Sequence, residues 1–282
     1  MMLAAPGPGW LFCPADRPER FEKAAAAADV VILDLEDGVA GKDRTAARAA
    51  LIETPLDPAR TVVRVNPVGT ADHAEDLAAL AETDYSTVML AKTETAEQVA
   101  SLAPRDVVVL VETPLGALAV TETARVENTY ALMWGAEDLF AVTGGTANRR
   151  PDGSYRDVAR HVRSQTLLAA KAYGRLALDS VYLDIRDLDG LRAESDDAVA
   201  VGFDAKVAIH PTQVAVIRAA YAPTESQIDW AHRVLDTART QRGVFAFGGL
   251  MVDAPVLRRA ERIVALAAHP GGSDAGAVQG NV

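Results

Sequence analysis

Several apolar runs in this 282-residue sequence stop at groups that can hold a cation or an anion. One ends in Asp34-Leu35-Glu36-Asp37-Gly38, and the next passes Arg64 and reaches Asn66-Pro67. A third ends at Lys92, a fourth runs into Glu112-Thr113-Pro114, and a fifth into Gly135-Ala136-Glu137-Asp138. Adjacent β-strands lie about 4.8 Å apart, so carboxylates at neighbouring tips, Glu112 and Asp138 for instance, can share one small ion. Two carboxylates with several open positions suit Mg2+, which keeps waters and accepts substrate oxygens. Zinc fits poorly, because Cys13 is the single cysteine and the five histidines are scattered. The plainer reading of Glu112 alone is a helix cap or an arginine partner. Arg64 offers a planar fork for a carboxylate, or a structural ion pair with Glu36 or Asp37. Lys92 has the chemistry of a Schiff-base nucleophile, but among this many acids it is expected to stay protonated and unreactive. His210, in Ile209-His210-Pro211, reads as a hydrogen-bonded strand-end group rather than a base.

These groups can cooperate only if strand ends converge. Eight runs read as strands: Trp10–Pro14, Val30–Leu35, Thr61–Val65, Thr87–Ala91, Val107–Val111, Ala131–Trp134, Ser180–Ile185 and Lys206–Ile209. Helical patterns separate them, among them Arg44–Ile52, Ala71–Glu82, Asp157–Gly174 and Leu188–Val201. The strands are nearly continuous in Val, Ile and Leu, as in parallel sheets covered on both faces. Eight β–α alternations predict an α/β fold, a closed (β/α)8 TIM barrel with extra C-terminal helices, whose active face is at the carboxyl ends of the strands. An open doubly wound sheet is the alternative, weakened by the absence of a Gly-rich dinucleotide fingerprint or phosphate loop. The expected domains are a flexible N-terminus over 1–8, the barrel over 9–222, a helical extension over 223–268 and a flexible tail over 269–282. In the extension, Glu225–Arg242 and Ala254–Ala268 read as helices joined by a connector, Gly243–Asp253. The polar, Gly-containing stretch Thr143–Tyr155 has the character of a lid.

Composition narrows the class of function. Apolar residues make up 49 % and charged residues 24 %, which argues for a folded chain. A net charge of −11 argues against a surface built for nucleic acid. The single cysteine fits a reducing, cytoplasmic setting, and no apolar stretch reaches the length needed to span a membrane.

Taken in order, the motifs resemble the HpcH/HpaI aldolase and citrate lyase family, and within it the stand-alone, mycobacterial-type acyl-CoA lyases similar to the citrate lyase beta subunit. The carriers are Leu11-Phe12-Cys13-Pro14 with Arg17 to Lys23, Leu33-Asp34-Leu35-Glu36-Asp37-Gly38-Val39, Val63-Arg64-Val65-Asn66, and Val111-Glu112-Thr113. Trp134-Gly135-Ala136-Glu137-Asp138-Leu139, Ile209-His210-Pro211 and Met251-Val252-Asp253 complete the set. One departure stands in Leu90-Ala91-Lys92, where many relatives carry Pro before the Lys. The resemblance implies a TIM barrel with Mg2+ on Glu112 and Asp138. It implies that Arg64 and the backbone amides of Ala136, Glu137 and Asp138 contact a keto acid. It also implies that Asp253 is a general acid/base supplied by a neighbouring subunit of a homotrimer; as a residue, Asp253 also reads as a helix cap before Pro255. Glu36 and Asp37 would order waters around the ion, and Arg17, Arg20 and Lys23 are candidates for the CoA nucleotide. The expected activity is reversible carbon–carbon cleavage of a carboxylated 3-hydroxyacyl-CoA, such as malyl-, citramalyl- or hydroxymethylglutaryl-CoA, to a keto acid and an acyl-CoA. Alternatives are a metal-dependent aldolase acting on free hydroxy-keto acids, a Schiff-base aldolase through Lys92, and a non-autonomous citrate lyase beta-type subunit.

Overall fold

A computed structural model of the chain describes residues 7–241 and 243–268. The strands are β1 (Gly9–Pro14), β2 (Val30–Asp34), β3 (Thr61–Val65), β4 (Thr87–Leu90), β5 (Asp106–Val111), β6 (Thr129–Trp134), β7 (Leu176–Asp179) and β8 (Ala205–Ala208). Each pairs in parallel with the next, and β1 pairs with β8, so the sheet closes on itself as a barrel. Around it run α1 (Phe21–Ala27), α2 (Arg44–Glu53), α3 (Ala71–Ala81), α4 (Ala96–Ala100), α5 (Pro114–Leu118) and α6 (Val120–Arg125). They are followed by α7 (Ala136–Thr143), α8 (Asp157–Ala172), α9 (Leu188–Val201) and α10 (Pro211–Tyr221). This is the TIM barrel the alternation predicts.

Side chains alternate across a strand, and the barrel interior selects one parity. Trp10, Val30 and Ile32, Val62, Met89, Val108 and Leu110, Ala131 and Met133, and Val207 form the inner core. Continuing each series by two residues reaches Asp34, Arg64, Glu112, Gly135 and Ile209. The same register that fills the core with apolar groups therefore aims the chemical groups at the carboxyl-end mouth. In β2 and β3 the register is direct: Asp34 is the cross-strand partner of Arg64.

The seventh strand corrects the sequence reading. Ser180–Ile185, expected as a strand, is the loop after it, and the strand is Leu176–Asp179. The alternating Val181, Leu183 and Ile185 imitate a half-buried strand, yet Leu183 is 53 % and Ile185 40 % exposed. The true strand ends in a buried acid, Asp179, whose cost is met by Arg163, Lys206 and the Trp134 indole.

Two compact units divide at Ile217–Arg218, within α10, just before the expected boundary at 222. In the second unit α11 (Glu225–Ala238) packs on α12 (Ala254–Ala267) through Ala231, Val234, Ala260 and Ile263. The expected connector contains a hairpin, β9 (Phe245–Phe247) with β10 (Leu250–Val252). Its two-residue loop is Gly248-Gly249, with φ of +57° and +80°, the geometry in which glycine is favoured at both central positions. Residues 1–6 and 269–282 lie outside the described residues. Of the expected flexible start, Pro8 is described, and its carbonyl accepts a hydrogen bond from the Lys206 amide. Among the described residues no helix is long and apolar enough to cross a membrane.

Candidate active site

The barrel mouth holds a cavity of about 360 Å3. Its lining is apolar at Phe12, Leu110, Met133, Val181 and Ile209 and charged at Asp34, Asp37, Arg64, Glu112, Glu137 and Asp138. Inward parity accounts for three of the charged groups: on β2, β3 and β5 the steps Ile32 to Asp34, Val62 to Arg64 and Leu110 to Glu112 exchange hydrocarbon for charge.

Glu112 sits just past β5 and is 2 % exposed. Its Oε1 accepts a hydrogen bond from the Lys92 amide at 2.9 Å. Burial, and then the negative charge of Asp138, push its carboxyl up to about 8, against the pull of Lys92 and Arg64. Gly135, at the end of the adjacent strand β6, leaves the space Glu112 needs: a Cβ there would lie 2.9 Å from Glu112 Cβ and 3.0 Å from Oε2. Asp138 stands in the first turn of α7, half-exposed at the rim. The first turn of α7 has no side-chain cap, so its amides face the mouth without one. A helix N-terminus in that state attracts an anion.

Arg64 makes a two-handed pair, with Nε and Nη2 each 2.6 Å from an oxygen of Asp34. Its Nη1 lies 3.1 Å from Glu36 Oε2, and the guanidinium carbon stands 4.7 Å over the Phe12 ring. The fork expected for a substrate carboxylate is thus turned to Asp34, a partner the sequence reading did not assign. Although burial opposes it, the charge of Asp34 raises the pKa of Arg64, which stays a fixed cation on the cavity wall. Asp34 also accepts the amides of Glu36 and Gly38, so it organises the whole turn after β2.

Lys92 draws the acids together. Its ammonium bonds Glu36, lies 3.3 Å from Asp37 and 3.8 Å from Asp138. Burial pulls its pKa down, but the bond to Glu36 and the charges of Glu112, Glu36 and Asp138 outweigh this and raise it. The amine therefore stays protonated, and a Schiff-base role finds no support. Burial raises the carboxyl of Glu36 despite its cations. Asp37 is lowered: burial opposes ionisation there, but Lys92 prevails.

The remaining expected residues fall elsewhere. Arg17, Arg20 and Lys23 are exposed after β1, with Arg17 and Arg20 paired loosely to Asp16 and Glu19. His210 is exposed, its Nδ1 2.8 Å from Thr212 Oγ1. Asp253 lies in the second unit and caps α12 by accepting from the Val256 amide at 3.3 Å. The stretch read as a lid is pinned. Arg149 and Tyr155 form a bridge, Arg149 reaches Glu194 at 2.9 Å and stacks on Tyr155, and Asn148 donates to Glu137 at the rim.

No group of three or more His, Cys, Asp or Glu side chains is placed to hold a metal among the described residues. The two expected donors, Glu112 just past β5 and Asp138 in the first turn of α7, line the same cavity beside a lysine ammonium already drawn to acid oxygens. An all-oxygen pair with room for water fits Mg2+ rather than zinc.

The model of the HpcH/HpaI aldolase/citrate lyase family matches residues 9–211. The chain belongs to that family. It is 64 % identical to the citrate lyase subunit beta-like protein of Mycobacterium tuberculosis over 94 % of this chain and 97 % of that protein. It is 31 % identical to human mitochondrial citramalyl-CoA lyase, over 91 % of this chain and 84 % of that one. Among solved structures, CitE from M. tuberculosis in complex with magnesium, acetoacetate and coenzyme A superposes with a TM-score of 0.91 at 63 % identity, covering 94 % of this chain and 99 % of that chain.

Proposed function

We propose that the chain is a Mg2+-dependent carbon–carbon lyase acting on a carboxylated 3-hydroxyacyl-CoA, with a keto acid and an acyl-CoA as products. One observation carries the reading: Glu112, just past β5, and Asp138, in the first turn of the helix that follows the neighbouring strand β6, border one cavity beside the uncapped start of α7 and the fixed charge of Arg64. The magnesium, keto acid and coenzyme A named with the CitE relative support it.

Glu112 and Asp138 would hold the ion, which when bound supplies Lewis-acid charge to the oxygen that becomes a carbonyl. The amides of Ala136, Glu137 and Asp138 would orient the substrate carboxylate. Arg64 adds fixed positive charge on the same wall, where negative charge develops. In cleavage the hydroxyl gives its proton to a water and its C–O bond becomes double as the carbon–carbon bond breaks. The electron pair passes to the carbon next to the thioester, which takes a proton from the acid form of Asp253; water then returns a proton to the Asp253 carboxylate, so no net proton is gained or lost. Here Asp253 is supplied by a neighbouring copy, in keeping with a homotrimer. Glu36 and Asp37 would order waters of the ion, and Arg17, Arg20 and Lys23 offer cations to the CoA phosphates. A reducing cytoplasm suits the lone, buried Cys13.

The test is Glu112→Gln and Asp138→Asn, assayed against malyl-, citramalyl- and hydroxymethylglutaryl-CoA with Mg2+ or EDTA. Each substitution is expected to cut turnover by about 10³-fold or more and to remove calorimetric Mg2+ binding, with the circular dichroism spectrum unchanged. Near-normal turnover of Glu112→Gln in Mg2+ would overturn the reading. Activity on free hydroxy-keto acids but on no thioester would favour the aldolase alternative.

A further inference from the structure

Lys92 stands in a backbone conformation that its residue type avoids. Its φ is +48°, and among the described residues it is the one non-glycine with positive φ. Such a conformation is costly for a residue with a Cβ and persists only where its surroundings demand it. Two contacts account for the demand. The strained backbone turns the Lys92 amide onto Glu112 Oε1 at 2.9 Å, while the side chain crosses the mouth to Glu36 and Asp37 and ends 3.8 Å from Asp138. One residue thus touches both expected ion ligands and both acids expected to order the ion's waters.

Charge explains what this contact is for. Among the described residues six carboxylates stand at the mouth, from Asp34, Glu36, Asp37, Glu112, Glu137 and Asp138, against two cations, Arg64 and Lys92. Arg64 is committed to Asp34 and Glu36. Among the described residues Lys92 alone is ion-paired with Asp138, the partly exposed member of the proposed ligand pair.

We propose that Lys92 is a positioning residue whose ammonium is a resident counter-cation of the acid ring, holding the metal-free site together and competing with the divalent ion for Asp138. The proposal rests on the metal reading of Glu112 and Asp138 above. Its consequence runs opposite to ordinary loss of a supporting residue: removing the ammonium makes Mg2+ bind more tightly. A unit positive charge a few ångströms from the ion repels it, and its loss also leaves Glu36 and Asp37 uncompensated.

The experiment is calorimetric titration of the full chain with Mg2+ alone, with melting curves in EDTA and in Mg2+. Lys92→Met keeps length and apolar bulk without charge, and Lys92→Arg keeps the charge. The expected results are about tenfold or greater tightening of Mg2+ binding in Lys92→Met and an affinity near the parent's in Lys92→Arg. A melting temperature of Lys92→Met lowered in EDTA but recovered by Mg2+ completes the pattern. Unchanged or weaker Mg2+ affinity in Lys92→Met, where the parent chain binds Mg2+ and Glu112→Gln does not, would overturn the counter-cation role while leaving the metal site standing. Failure of the parent chain to bind Mg2+ would overturn the metal reading and this proposal with it. Should Lys92→Met not fold, Lys92→Gln takes its place. If both fail while Lys92→Arg folds, Lys92 is a scaffold ion pair and the proposal falls.

Discussion

At Gly135 a single methyl group separates a competent site from a distorted one. A Cβ would sit 2.9 Å from Glu112 Cβ, a separation real side chains do not adopt, and neither β5 nor the first turn of α7 can give way cheaply. Gly135→Ala is therefore expected to displace the Glu112 carboxylate by several tenths of an ångström. The predicted outcome is a loss of about 10²-fold in kcat/KM, with a melting temperature near the parent's, checked by steady-state assay and calorimetry on one preparation. Parent-like kinetics would mean that Glu112 does not need its present position. Cys13 gives a contrasting prediction: burial, the largest influence, pushes its thiol up to about 11. Native protein should react slowly with a disulfide reagent at pH 8 and rapidly once unfolded. That Glu112, Asp138 and Arg64 line one cavity was legible in the sequence because each stands in, or within a few residues of the end of, an apolar strand. Asp34 was not recognised as the partner of Arg64, although both extend the inward series Val30, Ile32 and Val62. What was missing was the β2–β3 register, a property of the pair and not of either strand.

Among the elements, seven barrel strands and most of the helices follow from apolar period, to within a few residues at most ends, whereas α7, α10 and the β9–β10 hairpin do not. The seventh strand was lost because its last residue is a buried acid and the loop after it alternates. Asp179 tolerates burial by meeting Trp134 of β6, Arg163 of α8 and Lys206 of β8. Lys206 continues to Glu194 of α9, which reaches Arg149 of the pinned loop. Glu194→Gln should release that loop: exchange of amides over residues 148–155 is expected to rise by about tenfold in hydrogen-exchange mass spectrometry, with core strands unchanged. Burial opposes ionisation of Asp179, but Lys206 and Arg163 prevail and lower its pKa from 3.8 to about 2. A depressed carboxylate contributes stability that is complete above the unfolded value and lost as pH falls through the folded one. Urea midpoints should therefore hold down to about pH 4 and then fall, with about 2 kcal/mol lost by pH 2 from this group. Asp179→Asn should erase that acid step and cost about 3–5 kcal/mol at pH 7, because Arg163 and Lys206 lose their shared partner.

For the whole molecule, the alternation of β and α made the barrel legible, and the acids at its strand ends made the mouth legible. The origin of Asp253 is different in kind. Within one chain it is a cap of α12, a role its neighbour Pro255 and the Val256 amide fully explain. Nothing local distinguishes a cap from a catalytic acid, since the same carboxylate geometry serves both. The proposed function assigns Asp253 to the site of a neighbouring copy in a ring of three, a head-to-tail arrangement that closes on itself. That assignment predicts complementation. Chains carrying Glu112→Gln keep a good Asp253 but have no competent mouth, and chains carrying Asp253→Asn have the reverse defect, so each alone should be inactive. In trimers reassembled from equal amounts of the two, a site works only when an intact mouth meets an intact Asp253 from the next copy. Random mixing makes that about one site in four, so the mixture should recover about a quarter of the parent turnover. If each chain instead uses its own Asp253, no mixed site is whole and the mixture stays inactive. If Asp253→Asn alone retains full turnover, the residue is a cap and nothing more.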